Sequence, residues 1–215
     1  MCGPAAVQGH HPCSGINMLW RSSERSTRFS NSCSGNCRRS NSTAKFESSA
    51  TGPASNLRTI TSCTKTDYDE IVASLSDFWG HDRHRALHHP MFVNEFSDCA
   101  YVIRDQETVV AYLFGFIAHA KSVAYVHLVA VRPSHRHLGL ARQLYDHFTI
   151  RAVSRSCKQL RAITNPENTG SIRFHQSLGF RLEGAPNAAG VPIVKDYAGP
   201  GIDRVVFRKS LEAAG

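Results

Sequence analysis

The chain has 215 residues and a mass of 23.7 kDa, which suits one well-cored domain with an extension and is short for two ordinary domains. Its 41% hydrophobic residues are typical of a globular protein, and no apolar run approaches the roughly 20 residues that cross a bilayer. The net charge of +8 is spread along the chain, and no groove-reading motif accompanies it. These features exclude nucleic acid and membrane as expected partners.

Seven cysteines form no Cys-x-x-Cys pair, and no apolar signal-peptide core precedes them. An odd number in this pattern argues against a secreted disulfide framework and favours free thiols in a reducing compartment. Cys33 and Cys37 lie among serines without a histidine pair at ligand spacing, so we expect no metal site.

The composition changes near residue 57. The first 56 residues contain twelve serines, six basic and two acidic side chains, without apolar periodicity, which predicts a disordered tail before a domain at residues 57–215. The same composition is typical of an organellar transit peptide. A plastid or mitochondrial location is expected if the tail is a targeting signal, and a cytoplasmic one otherwise. The alternatives to a targeting signal are a plain disordered extension and translation that starts at Met18.

From residue 57 the pattern alternates strands and helices. A short strand (57–62) precedes a helix that a capping box at residues 66–69 would open, and a second helical stretch (83–96) is broken by Pro90. Strands are predicted at residues 99–104 and Thr108–Ala118, with a turn between them. The next strand, Val123–Val131, is apolar on both faces, as expected in the middle of a sheet.

The second half continues the alternation. A polar loop leads into a helix from about His137, and a strand at Gln159–Thr164 precedes a short helix (169–178) that Gly179 stops. Further strands are predicted from Phe180, at residues 191–194 and at residues 204–208. The predicted fold class is α/β, a mixed central sheet with helices on both faces.

The loop between the strand Val123–Val131 and the following helix has a composition suited to a phosphate. Gly139 and Ala141 have almost no side chain, so a phosphate can approach the free amides at the start of a helix. Arg132 and Arg136 add positive charge. An ordinary strand–loop–helix connection is the alternative.

Two motifs carry a resemblance to a known family. The run Val131-x-Pro133-x-x-Arg136-x-x-Gly139-x-Ala141 resembles the acetyl-CoA signature of the GNAT superfamily of N-acetyltransferases. About 30 residues further on, the run Asn168-x-x-Ser171-x-x-Phe174-His175-x-x-Leu178-Gly179-Phe180 is similar to the second motif of that family. The predicted order of elements fits a GNAT-type fold over nearly the whole domain.

The resemblance implies acetyl-CoA as co-substrate and an amine as acceptor. It implies that strand backbone pairs with the pantetheine arm, that loop amides hold the pyrophosphate, and that the short helix contacts the cofactor. The cofactor-binding residues expected on this basis are Val129, Ala130, Val131, Arg136, His137, Leu138, Gly139, Leu140, Ala141, Asn168, Ser171, Phe174 and His175. Asn168 also suits a helix N-cap, and the two roles are compatible.

Three residues are candidates for proton transfer. Many family members have Tyr at the position of His175, where it protonates the leaving thiolate; an imidazolium could do this, or His175 is a solvated helix residue. His127, expected on the same side of its strand as Val129 and Val131, is the candidate general base, or else a hydrogen-bonded core histidine. Tyr125 would assist from the same face.

In such folds the acceptor pocket is built by the first two helices and the last hairpin. The residues predicted there are Phe78, Trp79, His81, His88, His89, Asp196 and Tyr197. Alternatively, the first two are core residues and the histidines are solvated.

The expected function is acetyl transfer to a primary amine of a small molecule, by direct attack in a ternary complex, in a monomer or homodimer. A non-catalytic acyl-CoA-binding module and an acetyltransferase for a protein amine are the alternatives.

Overall fold

The structure, a computed structural model, describes residues 58–211. The predicted tail and its targeting role lie outside these residues. The helices are α1 (Lys65–Ala73), α2 (Leu75–Trp79), α3 (Met91–Asn94), α4 (Leu140–Ser154) and α5 (Thr169–Ser177). The strands are β1 (Ile60–Ser62), β2 (Ala100–Asp105), β3 (Thr108–Ala118), β4 (Val123–Val131), β5 (Gln159–Thr164), β6 (Arg181–Glu183), β7 (Ala185–Pro186), β8 (Pro192–Ile193) and β9 (Val205–Ser210). None of the helices in this range has the length and apolar character needed to cross a bilayer.

Seven strands form one mixed sheet in the order β1-β2-β3-β4-β5-β9-β6. Only the β4–β5 pair within it is parallel, as expected where the helix α4 connects two neighbouring strands. The predicted α/β class and mixed sheet are therefore confirmed. The predicted strand at residues 191–194 differs: β8 pairs with β7 in a separate two-stranded hairpin.

Helices cover both faces of the sheet, each over its own hydrophobic core. The helices α1, α2 and α3 bury Ile71, Phe78 and Phe92 against one face. The helices α4 and α5 bury Phe148 and Ile172 against the other face. We call these the α1–α3 face and the α4–α5 face.

Several predicted boundaries differ from those observed. The capping box of α1 begins at Thr64, two residues before the predicted position. Thr64 is the N-cap and exchanges hydrogen bonds with Asp67. The helix α4 begins at Leu140 rather than His137, because His137 and Gly139 have left-handed φ angles of 64° and 77° that a helix cannot contain. The predicted stretch at residues 83–96 reduces to a 3-10 turn (Arg83–Leu87) and the short α3.

The strands β4 and β5 part in the middle of the sheet. They pair through three residues only, Val123 to Tyr125 with Gln159 to Arg161, whereas β4 stays paired with β3 to Val131. Beyond Tyr125, β4 has no strand partner on its β5 side among the described residues. An opening with free main-chain polar groups therefore leads from one face of the sheet to the other.

A β-bulge in β4 lies at the start of this opening. Phe114 pairs with Leu128 and Gly115 with Val126, so His127 has no partner in β3. Because of this extra residue, His127 and Leu128 both contact the α1–α3 face, while Val126 packs on the α4–α5 face. The bulge reverses the alternation of side chains along the rest of β4.

The backbone of β3 approaches the bulge of β4 closely at Gly115, so a substitution there tests the bulge. A Cβ there would lie 2.8 Å from the carbonyl oxygen of Tyr125 and 2.9 Å from the ring of Phe148. We expect Gly115→Ala to lower the free energy of unfolding by about 1–3 kcal/mol in urea denaturation, because backbone of the bulge has to move. The control is Gly170→Ala in α5, where the nearest atom to the new Cβ would be Asn168 Oδ1 at 3.8 Å. This substitution should leave the free energy of unfolding unchanged or raise it, because Ala favours a helix over Gly. Equal effects of the two substitutions would contradict the close approach.

Candidate active site

The loop before α4 has the geometry of an anion-binding helix start. No side chain caps α4, and its first intrahelical hydrogen bond runs from the Gln143 amide to the Gly139 carbonyl. The Arg136 amide donates to the Pro133 carbonyl at 3.3 Å, and the amides that follow it, from His137 to Ala141, are available to a ligand. A Cβ on Gly139 would meet only the Gln143 side chain, at 4.0 Å, so a ligand can approach the backbone closely. A phosphate fits this loop and helix start, residues 137–141, which we call the phosphate cradle.

The two arginines of the loop differ in exposure, because Arg132 is partly buried and Arg136 is exposed. The Arg132 guanidinium lies over the Phe78 ring and bonds the Val109 carbonyl and the Asp77 carboxylate, each at 2.7 Å. The Arg136 guanidinium bonds the Phe78 carbonyl at 3.0 Å. Both side chains attach the loop to α2, so the expectation of added charge at the mouth was wrong for Arg132. A phosphate can therefore meet the row of amides and the exposed Arg136 side chain.

The start of α5 contributes polar groups beside the same opening. Asn168 is the N-cap of α5, and its Oδ1 accepts from the Ser171 amide at 3.0 Å. The predicted cap is confirmed, and the side-chain amide nitrogen of Asn168 is left to donate to a ligand. Phe174 packs edge-on against Tyr145, with ring centroids 5.7 Å apart.

His175 is a neutral core residue. It is 3% exposed, and its ring stacks on Phe207 at 4.0 Å. Its Nδ1 donates to the Ser171 carbonyl at 2.8 Å, so its Nε2 accepts from the Tyr145 hydroxyl at 2.7 Å. Burial lowers the pKa of His175 to about 4, so the ring is uncharged near neutrality. The predicted solvated side chain was wrong, and a buried, neutral ring does not favour the predicted imidazolium acid.

An open pocket of about 750 Å³ lies on the α1–α3 face, next to the point where β4 and β5 part. Its floor is built from paired residues of β3, β4 and β5. Ala118 and Phe116 of β3 pair with Val123 and Tyr125 of β4, and Tyr125 also pairs with Arg161 of β5. The aromatic and polar side chains that line this sheet pocket are Phe116, Lys121, Tyr125, His127, Gln159, Arg161 and Tyr197.

Tyr125 lies where the sheet pocket meets the opening, because it is the last β4 residue that pairs with β5. Its ring stacks on Phe116, with centroids 5.1 Å apart and an interplanar angle of 23°. Burial, with the nearby Tyr197, raises the pKa of Tyr125. Its phenol therefore stays protonated near neutrality and can donate a proton or a hydrogen bond.

His127 lines the same pocket with one ring nitrogen available. Its ring stacks on Phe92 at 4.7 Å, and its Nε2 donates to the Leu87 carbonyl at 3.0 Å, which leaves Nδ1 as an acceptor. Burial lowers the pKa of His127, so the ring is neutral near pH 7. The predicted pairing of His127 with Tyr125 on one face agrees with the pocket lining. The prediction that Val129 and Val131 share that side was wrong, because the bulge turns them to the α4–α5 face.

Comparison with known proteins places this geometry in a family. The sequence profile of the acetyltransferase (GNAT) family matches residues 67–180, more than half of the chain. The chain belongs to the GNAT acetyltransferase family. The matched range contains the phosphate cradle, the opening and the three β4 residues that line the sheet pocket, Val123, Tyr125 and His127.

Individual curated proteins resemble this GNAT domain over only a short range. The aminoglycoside N(6')-acetyltransferase type 1 of Salmonella typhimurium is 36% identical over 58 residues, which cover 27% of this chain and 40% of that relative. The chain thus matches less than half the length of this curated relative.

Solved structures resemble the fold over a longer range. The ribosomal-protein-S18-alanine N-acetyltransferase from Escherichia coli superposes with a TM-score of 0.51 at 17% identity, covering 74% of this chain and 97% of that one. An aminoglycoside 6'-N-acetyltransferase complexed with coenzyme A gives a TM-score of 0.53 at 13% identity, covering 73% and 99%. The described residues thus have a GNAT fold.

Most residues predicted to build the acceptor pocket of this GNAT domain do not line the sheet pocket. Phe78 is a core residue, the Trp79 indole donates to the Tyr112 hydroxyl at 2.8 Å, and His88 is buried with its Nε2 2.7 Å from the same hydroxyl. The helix α1 packs on β3 and the helix α2 on β3 and β4, and no residue of either helix lines the sheet pocket. Asp196 accepts from the Gly201 amide inside its own loop. Only Tyr197 of the predicted set lines the pocket.

The burial of His175 predicts a specific dependence of stability on pH. Because its folded-state pKa of about 4 lies below the ordinary 6.5, the unfolded chain binds a proton that the folded chain does not. Stability is therefore full above pH 6.5 and falls as the pH drops towards 4. Between pH 6.5 and 5 this group should cost about 2 kcal/mol, as measured by urea denaturation at the two pH values. His175→Gln should remove that part of the loss.

The control for this prediction is His147→Gln, at an exposed histidine of α4, which should keep the full dependence of the unmodified chain. An identical fall in stability for the unmodified chain and His175→Gln would contradict a buried, neutral His175.

Proposed function

We propose that the protein is an N-acetyltransferase that moves an acetyl group from acetyl-CoA to a primary amine of a small molecule. The observation that carries the proposal is the opening between β4 and β5. It has an uncapped, glycine-containing helix start at its α4–α5 side and a pocket with a neutral imidazole and a protonated phenol on the other face. Acyl-CoA and amine would therefore meet from opposite faces of the sheet.

The described residues fit an acyl-CoA. The main chain from Val129 to Val131 borders the opening and would pair with the pantetheine arm as a further strand does. The amides from His137 to Ala141 would hold the pyrophosphate, and the side-chain nitrogen of Asn168 would bond a pantetheine amide. When bound, the cofactor supplies an activated acetyl group.

The reaction requires two proton transfers. The amine nitrogen attacks the thioester carbonyl, the N–C bond forms, the C–S bond breaks, and the products are an N-acetyl amide and CoA. His127 Nδ1 accepts the proton that the amine loses, and the Tyr125 hydroxyl donates the proton that the departing thiolate gains. His127 then returns its proton to Tyr125 through solvent. Positioning of the two substrates supplies much of the remaining rate.

The cysteines of the described range favour direct attack. Cys63, Cys99 and Cys157 are buried, and burial raises the pKa of each thiol, to about 12 for the first two. None of them lines the sheet pocket. A covalent acetyl-cysteine would need an accessible thiolate, so a ternary complex is the mechanism that these residues support.

The size of the sheet pocket favours a small acceptor, because about 750 Å³ lies within the usual range for small-molecule sites. A protein amine is the second candidate, since the pocket is open to solvent. The names of similar proteins include both an aminoglycoside and a ribosomal-protein acetyltransferase. A non-catalytic acyl-CoA-binding module would bind CoA without transfer to any amine.

The cofactor site is tested by a negative side chain in the cradle. Calorimetric titration of the full chain with acetyl-CoA should give micromolar binding, and Gly139→Glu should abolish it by repelling the pyrophosphate. Gly190→Glu is the matched control, because Gly190 has nearly the same φ, 76° against 77°, and open space around it. Loss of binding in both variants, or in neither, would contradict the cradle.

The general base is tested by His127→Gln. We expect kcat at saturating amine to fall about 10²–10⁴-fold, because a positioned base contributes that much. In the unmodified chain kcat should rise with pH below 6.5 and level off near neutrality, since the pKa of His127 is lowered. The variant should lose this limb, whereas the control His147→Gln should keep it. A rate near that of the unmodified chain from pH 5.5 to 8 would rule out His127 as the base.

A further inference from the structure

The sheet pocket carries positive charge on its lining. Lys121 and Arg161 line it, and none of the described residues that line it has a carboxylate. Arg204 is also close enough to Tyr125 to influence its ionisation. An acceptor that is only an amine, and so a cation in water, would meet like charge here. The lining fits an acceptor that also carries a negative group.

Arg161 has hydrogen-bonding capacity to spare. Its Nε is buried and has no hydrogen-bond partner within residues 58–211. Its Nη2 lies 3.6 Å from the Glu183 carboxylate, at the outer limit of an ion pair, and the Arg208 guanidinium lies 3.5 Å from the same oxygen. One carboxylate is thus shared by two guanidinium groups. The Arg161 side chain is 33% exposed, so its guanidinium group stays accessible to a carboxylate of a ligand.

Arg161 also lies in the right place relative to the proton-transfer residues. It pairs across β5 and β4 with Tyr125, and His127 is two residues further along β4. Strand spacing puts the Cα atoms of His127 and Arg161 roughly 8 Å apart. A molecule of amino-acid size can therefore direct its amine to His127 while its carboxylate reaches the longer Arg161 side chain.

The remaining wall of the pocket is aromatic. The stacked rings of Phe116 and Tyr125 form one side, and Tyr197 comes from the loop between β8 and β9. That loop is held in shape because the Asp196 amide donates to Asp203 and the Gly201 amide donates to Asp196. Aromatic rings favour a flat or apolar body over a heavily hydroxylated one.

On the basis of the proposed function, we propose that the acceptor is an amino acid with an aromatic or apolar side chain. Its carboxylate binds Arg161 and Lys121, its side chain packs against Phe116, Tyr125 and Tyr197, and its amine faces His127. A polycationic acceptor, such as an aminoglycoside, is disfavoured because its ammonium groups would lie against Lys121 and Arg161.

Matched pairs of amines test this assignment. CoA release by the full chain would be measured with phenylalanine against phenethylamine, tryptophan against tryptamine, and an aminoglycoside. We expect kcat/KM to be at least about 10-fold higher for each amino acid than for its decarboxylated partner. Arg161→Gln should lower kcat/KM for the amino acids about 10–100-fold and leave that for the decarboxylated amines nearly unchanged.

Two further variants keep the result interpretable. Arg161→Lys keeps the positive charge but loses the forked guanidinium donor, so it should keep part of the preference for amino acids over decarboxylated amines. It replaces Arg161→Gln as the test variant if Arg161→Gln does not fold. Arg208→Gln is the control, because Arg208 shares Glu183 but does not line the pocket, and it should keep the full preference.

The outcomes separate this inference from the proposed function. Acetylation that favours decarboxylated or polycationic amines would overturn the amino-acid assignment and leave the acetyltransferase standing. Acetyl-CoA binding without acetylation of any amine in the panel would contradict the proposed function, and the inference with it.

Discussion

The parting of β4 from β5 is the constraint on which the candidate site depends. A parallel pair that continued past Tyr125 and Arg161 would close the sheet, and every main-chain group of β4 would be satisfied within it. Because pairing stops after three residues, the main chain of β4 stays free next to the uncapped start of α4. The two substrates of a transfer reaction can then approach one point from opposite faces.

The bulge at His127 determines which side chains meet at that point. Without the extra residue, regular alternation would place Val129 and Val131 on the face of His127. With it, the valines pack towards α4 and α5, while His127 joins Tyr125 in the sheet pocket. Gly115 permits this arrangement, because a larger residue would collide with the Tyr125 carbonyl and the Phe148 ring. The geometry of the site therefore rests on packing at Gly115, on the strand next to the one that carries the catalytic candidates.

Much of the fold could be predicted, because β3 and β4 are largely apolar segments with clear ends and two motifs indicate the family. The capacity of the loop at Gly139 to bind a phosphate was also readable from residue type. Features that depend on strand register were not. The reversal of alternation at His127, and the placement of Arg161 beside Tyr125, follow from pairings that a single sequence does not display. The neutral state of His175 depends on burial by Tyr145 and Phe207, which come from other elements.

A crystal structure of the full chain with acetyl-CoA would test most directly whether the opening is the meeting point of the two substrates. We expect pantetheine density along β4 from Val129 to Val131, the pyrophosphate on the amides from His137 to Ala141, and the acetyl group at the Tyr125 end of the sheet pocket. Density for the cofactor at another site, or an opening between β4 and β5 closed by continued strand pairing, would contradict it.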